Sequence, residues 1–316
     1  MQGARARPSG KTDIVIVGPG AIGCLFAALL SEKGLNVALL DKNAERAEFI
    51  AREGIRLKYR AGERVIRVPC EADPSKVSPP DALCLCVKSF DTEAAMRRAL
   101  PLLGPRTTVV SLQNGLGNAE TAARFSGGRP VLCASTSHGS TAESAGVIRH
   151  AGAGPTVVAP HTGASPQHAE SFAKLLLRAG FDAQTAPDAT ALLWSKLAIN
   201  AAINPVTALA GVPNGAVPER EDLRRTAASA AVETESVARA MGIGLLYADI
   251  VSAVENVCRT TAQNISSMLQ DVRRRRRTEI EAINGAVVAH GRRLGVPVPV
   301  NEDLLRRVLD ISAGSL

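Results

Sequence analysis

Asp13-Ile-Val-Ile-Val-Gly18-Pro-Gly20-Ala-Ile-Gly23, followed at once by Cys24-Leu-Phe-Ala-Ala-Leu-Leu30, is the stretch on which the fold turns. The β-branched run predicts a buried strand, and the apolar run after Gly23 predicts a helix. A bare G-x-G-x-x-G is weak evidence; between a strand and a helix it gains meaning. There Gly18 permits the tight turn, Gly20 lets a pyrophosphate approach the backbone, and Gly23 allows close helix–strand packing. Pro19, Ala21 and Ile22 complete the loop, and bound phosphates would face the positive end of the helix dipole. Ile14–Leu30 carries no charge and follows a basic leader, so it mimics a signal peptide or a membrane span. Three glycines and a proline interrupt it, and it falls short of the roughly 20 residues a spanning helix needs.

The next predicted strand, Asn36–Asp41, ends in an acid 18 residues past Gly23. That is about where a carboxylate would hold the ribose 2′-hydroxyl of NAD. Lys42 follows directly and could hold the 2′-phosphate of NADP instead. Two further strands, Asp81–Lys88 and Thr107–Asn114, end in polar residues. Ligands of open α/β sheets bind beyond the carboxyl ends of the strands, so Lys88 and Asn114 are placed to meet a nicotinamide. Strand-end caps and a turn are the alternative for both. Residues 55–70 alternate like an antiparallel hairpin, and Val147–His150 with Thr156–Pro160 look like another. A helix over 166–179 and a last strand over Phe181–Ala186 lead to a domain boundary at Pro187–Asp188.

From Ala189 the pattern turns helical. Lys196, Asn200 and Asn204 stand at i, i+4 and i+8, one stripe of a helix. The residues between them are apolar, and burial would lower the lysine's pKa. The two amides can bond a small polar ligand. A surface lysine with two capping asparagines accounts for this segment equally well on the residues alone. Asn204-Pro205 is expected to end or kink the helix. Pro213-Asn214-Gly215 reads as a turn and 221–242 as a long helix. Ser267 and Glu279 are twelve residues apart, which is about 18 Å on one straight helix. The chain must break between them if both serve one site, and Thr278-Glu-Ile-Glu281 reads as a capping box starting a new helix.

Composition bounds the rest. At 316 residues, 46% hydrophobic and 21% charged, the chain suits two globular domains. Aromatics are only 3%, which disfavours stacking platforms for single-stranded nucleic acid. Arg273–Arg277 supplies much of the net charge of +7. It reads as a solvated helix end at a junction; a nucleic-acid contact is the alternative. Cys24, Cys70, Cys84, Cys86, Cys133 and Cys258 form no metal-ligand spacing, as expected of reduced, buried cysteines in a cytoplasmic protein. No metal, membrane or nucleic-acid partner is expected.

The motifs Gly18-Pro-Gly-Ala-Ile-Gly23, Val87-Lys88, Gln113-Asn-Gly115, Trp194-Ser-Lys196-Leu-Ala-Ile-Asn200, Ile203-Asn-Pro205, Pro213-Asn-Gly215, Asn264–Asp271 and Arg277-Thr-Glu-Ile-Glu281 together resemble the ketopantoate reductase family. The resemblance runs in family order from about residue 13 to Asn301. It implies an α/β chain with a Rossmann dinucleotide-binding domain over 12–188 and an all-α domain over 189–316; residues 1–11 ahead of them read, by themselves, as a disordered leader. The all-α domain would be like the C-terminal domain of 6-phosphogluconate dehydrogenase, with the active site in the cleft between domains. It implies NADPH-dependent reduction of 2-dehydropantoate to (R)-pantoate, towards pantothenate and coenzyme A. By position, Lys196 matches the catalytic lysine and Glu279 the glutamate near substrate and nicotinamide. Asn114, Asn200, Asn204, Asn214 and Ser267 match substrate contacts; Lys88 and Asn114 match cofactor-side residues, and Ser140 a backbone contact to the dinucleotide. Many members carry an arginine after the second strand where this chain has Asp41-Lys42, which leaves NADH open beside NADPH. The expected partner is a small keto acid, and a homodimer is compatible with the sequence. The alternatives are a related dehydrogenase of another 2-keto or β-hydroxy acid, or a silent dinucleotide sensor. A sensor predicts loss of the ionisable pair, yet Lys196 and Glu279 are both present.

Overall fold

The computed structural model describes residues 11–313. The leader expected over 1–11 lies outside the described residues except for Lys11, whose ammonium pairs with Asp81. Two compact units are present. The first runs to Val87 and adds Asp91–Leu112 and Glu120–Thr185; the second takes Lys88–Phe90, Gln113–Ala119 and the chain from Ala186 on. A single cut at Pro187–Asp188 therefore leaves out two short segments that group with the helical unit.

In the first unit the strands are β1 (Ile14–Val17), β2 (Val37–Leu40), β3 (Ile55–Tyr59), β4 (Gly62–Ile66), β5 (Cys70–Glu71) and β6 (Ala82–Leu85). They continue as β7 (Thr108–Ser111), β8 (Val131–Thr136), β9 (Gly139–Ser144), β10 (Val147–Gly152), β11 (Thr156–Pro160) and β12 (Ala183–Thr185). An eight-stranded sheet has the order β12-β11-β8-β7-β6-β1-β2-β5 and is parallel except where β11 meets β8. β1 and β6 are buried along their whole length, as parallel strands covered on both faces require. The helices are α1 (Ala21–Glu32), α2 (Ala44–Glu53), α3 (Thr92–Ala99), α4 (Asn118–Phe125) and α5 (Pro166–Arg178). Ile14–Leu30 is thus strand, loop and helix. Among the described residues no helix is long and apolar enough to cross a membrane.

The 55–70 hairpin is confined to β3 and β4, and Cys70-Glu71 instead joins the large sheet beside β2. The expected pairing of 147–150 with 156–160 does not occur. β10 pairs with β9 and β3 in a four-stranded sheet, whereas β11 pairs with β8. The true turn is Ala145-Gly146, with Gly146 at φ +69°, and its arms are the continuous runs β8–β9 and β10–β11. Alternation locates strands but does not choose their partners. β9 escapes notice because Gly139-Ser-Thr-Ala-Glu-Ser144 is small, polar and partly exposed.

This bent ribbon carries a histidine pair. His138 and His150 stack with ring centroids 5.3 Å apart, and Nδ1 of the first lies 3.1 Å from Nε2 of the second. Burial, reinforced by His150, pushes His138 down to about 4; burial also lowers His150. The unfolded chain therefore binds more protons than the folded one between pH 6.5 and 4. Stability present above pH 6.5 should be lost as pH falls through that window, by about 1–2 kcal/mol given the partial exposure of the pair. Thermal unfolding across pH 4–7 should show this slope, and His138→Phe should flatten it.

The second unit is helical: α6 (Ala189–Ala210), α7 (Ala216–Glu219), α8 (Glu221–Ala240), α9 (Ile250–Thr260), α10 (Ser267–Arg273), α11 (Asn284–Leu294) and α12 (Pro299–Ala313). α6 is its axis. Leu197, Ala201 and Ala208 enter one apolar cluster, while Ala198, Ile199, Ala202 and Ile203 enter another, so the helix is covered nearly all round. Of the expected end or kink at Asn204-Pro205, the end does not occur, because α6 continues to Ala210 with Pro205 inside it. Proline removes the N–H that would reach the carbonyl four residues back. That carbonyl, Ala201 O, instead accepts a hydrogen bond from Asn284 Nδ2 at 3.1 Å. Asn284 is fully buried and donates also to Asn301 Oδ1.

Candidate active site

In the first unit, the glycine loop joins β1 to α1. Gly18 has φ +98°, and a Cβ at Gly23 would sit 2.1 Å from Gly18 O. A Cβ at Gly20 would meet nothing within 4 Å. The loop therefore packs tightly beneath and stays open at Gly20, the shape that a pyrophosphate at a helix N-terminus requires. Gly18 N donates to Leu40 O at 2.9 Å, which ties the loop to the end of β2. Asp41 follows there, 1% exposed. Its carboxylate is gripped by Arg46, Nε to Oδ2 at 2.5 Å and Nη2 to Oδ1 at 2.6 Å, and accepts from Asn43 N. Lys42 is exposed and pairs with Asp91 at 2.9 Å. Ser140 lies in β9, its hydroxyl buried without a hydrogen-bond partner.

In the second unit, the polar residues fall into two groups. Lys88 Nζ lies 2.6 Å from Asp271 Oδ2 and 3.2 Å from Glu279 Oε2. Glu279 Oε1 accepts from Ser89 N at 2.9 Å, so both of its oxygens hold the Lys88-Ser89 segment. Burial lowers the Lys88 ammonium, but Glu279 and Asp271 outweigh that and leave its pKa raised. Burial raises Asp271 against the opposing effect of Lys88. The second group is the α6 stripe. Lys196 is half-buried and desolvation lowers its pKa, while Asn200 and Asn204 are buried. Asn200 Nδ2 reaches Asn114 Oδ1 at 3.3 Å. Leu116 N donates to Ala282 O at 3.0 Å, which pins the Asn114 loop to the turn after Glu279. Nearby on the chain, Asn214 Nδ2 donates to Thr261 Oγ1, and its Oδ1 is buried without a partner. Ser266 rather than Ser267 caps α10, accepting from Leu269 N and from Thr207 Oγ1. Ser267 is the first residue of that helix.

The chain does break between Ser267 and Glu279: α10 stops at Arg273, Arg275 takes φ +52°, and α11 starts at Asn284. The capping box is not what breaks it. Thr278 and Glu279 precede the turn over 280–283 that leads into α11, Glu281 pairs with Arg277, and Glu279 turns to Lys88 and Ser89. The arginine run forms this junction. Arg273 donates to Gly211 O, Arg276 N to Asp271 O, and Arg277 lies over Phe90 at 4.6 Å.

Asp271 is the residue that the sequence reading missed. Its only signal was a carboxylate placed just after apolar Met268-Leu269, four residues past Ser267. Lys88 is the cation that answers both buried acids. Lys88→Met should cost about 3 kcal/mol, the low end for a broken buried pair because Lys88 is partly exposed, since it removes the cation in contact with two buried carboxylates. One of them would then take up a proton in the folded state, with its pKa raised. The variant's loss of stability relative to the wild type should therefore be smallest at low pH and grow as pH rises through that raised pKa. Urea unfolding at pH 5 and pH 8 checks the sign.

Comparison with known proteins gives these motifs a context. The profile of "Ketopantoate reductase PanE/ApbA" matches residues 14–163, and that of its C-terminal domain matches 188–311. A 2-dehydropantoate 2-reductase of Halobacterium salinarum is 36% identical over 91% of this chain and 94% of its own length. The crystal structure of a PanE/ApbA family ketopantoate reductase from Ralstonia eutropha superimposes with a TM-score of 0.86 at 31% identity, covering 96% of this chain and 99% of that one. D-Mandelate dehydrogenase with NADH and anilino(oxo)acetate gives a TM-score of 0.89 at 23% identity over 96% of this chain and 99% of that one, a likeness of fold alone. On the sequence identity over nine-tenths of its length and both matched segments, the chain belongs to the ketopantoate reductase PanE/ApbA family.

Proposed function

We propose that this chain reduces 2-dehydropantoate to (R)-pantoate with NADPH as the hydride donor. The α6 stripe carries the reading: a half-buried lysine of lowered pKa followed on the same face by two buried asparagines. Membership in the family of 2-dehydropantoate 2-reductases supports the substrate.

The dinucleotide, when bound, supplies the hydride that reduces the C2 carbonyl of the keto acid. Gly18, Pro19, Gly20, Ala21, Ile22 and Gly23 would hold its pyrophosphate at the N-terminus of α1. Lys196 hydrogen-bonds the carbonyl oxygen, stabilises the charge that develops there and delivers the proton from Nζ. The neutral amine left behind is reprotonated from solvent. Asn200 and Asn204 orient the substrate's polar groups with Asn114, whose Oδ1 already engages Asn200. Asn214 offers the free acceptor Oδ1 to a substrate hydroxyl, and Ser267 holds the carboxylate. Lys88 and Glu279 act on the cofactor side, with Asp271 holding the Lys88 ammonium in place.

The test is a panel of 2-keto acids offered to the purified chain with NADPH and with NADH, scored by kcat/KM. 2-Dehydropantoate should lead the panel by at least about a hundredfold, because its hydroxyl and carboxylate both find partners. A higher kcat/KM for another keto acid would overturn the substrate assignment and leave the reaction type standing.

A further inference from the structure

An acidic residue at the end of β2 would ordinarily favour a free ribose 2′-hydroxyl and so NADH. In this chain that carboxylate is already spoken for. Asp41 is 1% exposed, both its oxygens are taken by Arg46, and Oδ1 also accepts from Asn43 N. A two-bond fork between guanidinium and carboxylate is directional and strong. Arg46 is held from its other end as well, since its N–H donates to Asn43 Oδ1 at the N-cap of α2 at 2.7 Å. Its side chain is nonetheless 39% exposed, and Nη1 stands outside the fork. The fork is close to the glycine loop along the chain of bonds, because Gly18 N is tied to Leu40 O and Asp41 comes next. Lys42 is 67% exposed and tied only to Asp91, a surface pair that a stronger anion can exchange at small cost.

We propose that Arg46 sets the cofactor choice of this chain. By locking Asp41 it withdraws the carboxylate that a 2′-hydroxyl would use, and it turns its outer N–H groups, with Lys42, to the 2′-phosphate of an NADP-type dinucleotide. The inference rests on the reading of Gly18–Gly23 as a dinucleotide loop. The planar guanidinium suits it to both tasks at once, one edge on a carboxylate and the other on a phosphate.

Calorimetric titration of the full chain with adenosine 2′,5′-bisphosphate and with 5′-AMP reads the choice without turnover. The wild type should bind the bisphosphate at least about tenfold more tightly. Arg46→Ala should free Asp41 and shrink that ratio by at least about tenfold, weakening the bisphosphate and strengthening 5′-AMP. Because a freed buried carboxylate can disturb the fold, the double variant Arg46→Gln with Asp41→Asn provides a neutral pair of similar shape. It too should lose the preference. Asp41→Asn alone keeps the guanidinium and should retain it. An unchanged ratio in both Arg46 variants would overturn the proposal while leaving the dinucleotide loop intact. A wild type that binds the two nucleotides equally would also overturn it. A folded wild type that binds neither nucleotide, nor NADP+ nor NAD+, would remove the loop reading and this inference with it.

Discussion

Lys196→Ala is expected to lower kcat by at least about a hundredfold, the usual worth of a positioned general acid. The substitution should leave KM for the dinucleotide within a few-fold, since the glycine loop belongs to the other unit. The pH profile carries a second signature. Burial holds the Lys196 pKa below that of an ordinary lysine. The acid must be protonated to act, so the rate should fall on the alkaline side at a lower pH than a solvated lysine would give. Lys196→Arg keeps charge but, because a guanidinium holds its proton far more tightly than an amine, should not deliver the proton and should lose that alkaline limb. A kcat near the wild-type value in Lys196→Ala would take the proton-donor role away from this residue.

The second large effect belongs to the glycine loop, where two neighbouring glycines should fail in different ways. In Gly23→Ala the new methyl would lie 2.1 Å from Gly18 O, a backbone atom that cannot simply rotate aside. Loop and α1 must part, with a cost of about 1–3 kcal/mol typical of overpacking. Stability and dinucleotide binding should therefore fall together. In Gly20→Ala the methyl meets nothing within 4 Å, and the backbone there (φ −80°) suits any residue. That variant should melt with the wild type, yet bind dinucleotide at least about tenfold more weakly, because the methyl fills the approach to the pyrophosphate. Melting curves beside NADPH titrations separate the two. If Gly20→Ala binds normally, the pyrophosphate does not pass over this loop.

These contrasts show which features the sequence made legible. The glycine motif, the β-branched strand before it and the helix after it agree with one another locally, so their reading needed no distant partner. The α6 stripe was legible as one helical face, but on its own residues a surface lysine with two capping asparagines fitted it equally well. What escaped depended on residues far apart in the chain. Pro205 breaks a helix by rule, and only Asn284, 79 positions later, restores the lost acceptor at Ala201. Alternation in 147–160 identified strands, but the partner was fixed by the Ala145-Gly146 turn and by β9, whose small polar residues gave no pattern. Thr278–Glu281 had the letters of a capping box, while Glu279 was drawn to Lys88, 191 residues away, and no helix starts there. Asp271 passed unnoticed for the same reason: its meaning lies in Lys88, 183 positions earlier.

The central claim is that this chain moves a hydride and a proton onto the carbonyl of 2-dehydropantoate. The most direct test is the initial rate of NADPH oxidation by the purified wild type with that keto acid, with pantoate quantified in the same samples. Turnover should be saturable in both substrates, with one pantoate formed for each NADPH consumed. No pantoate with either NADPH or NADH, from a protein shown to be folded and to bind dinucleotide, would contradict the claim.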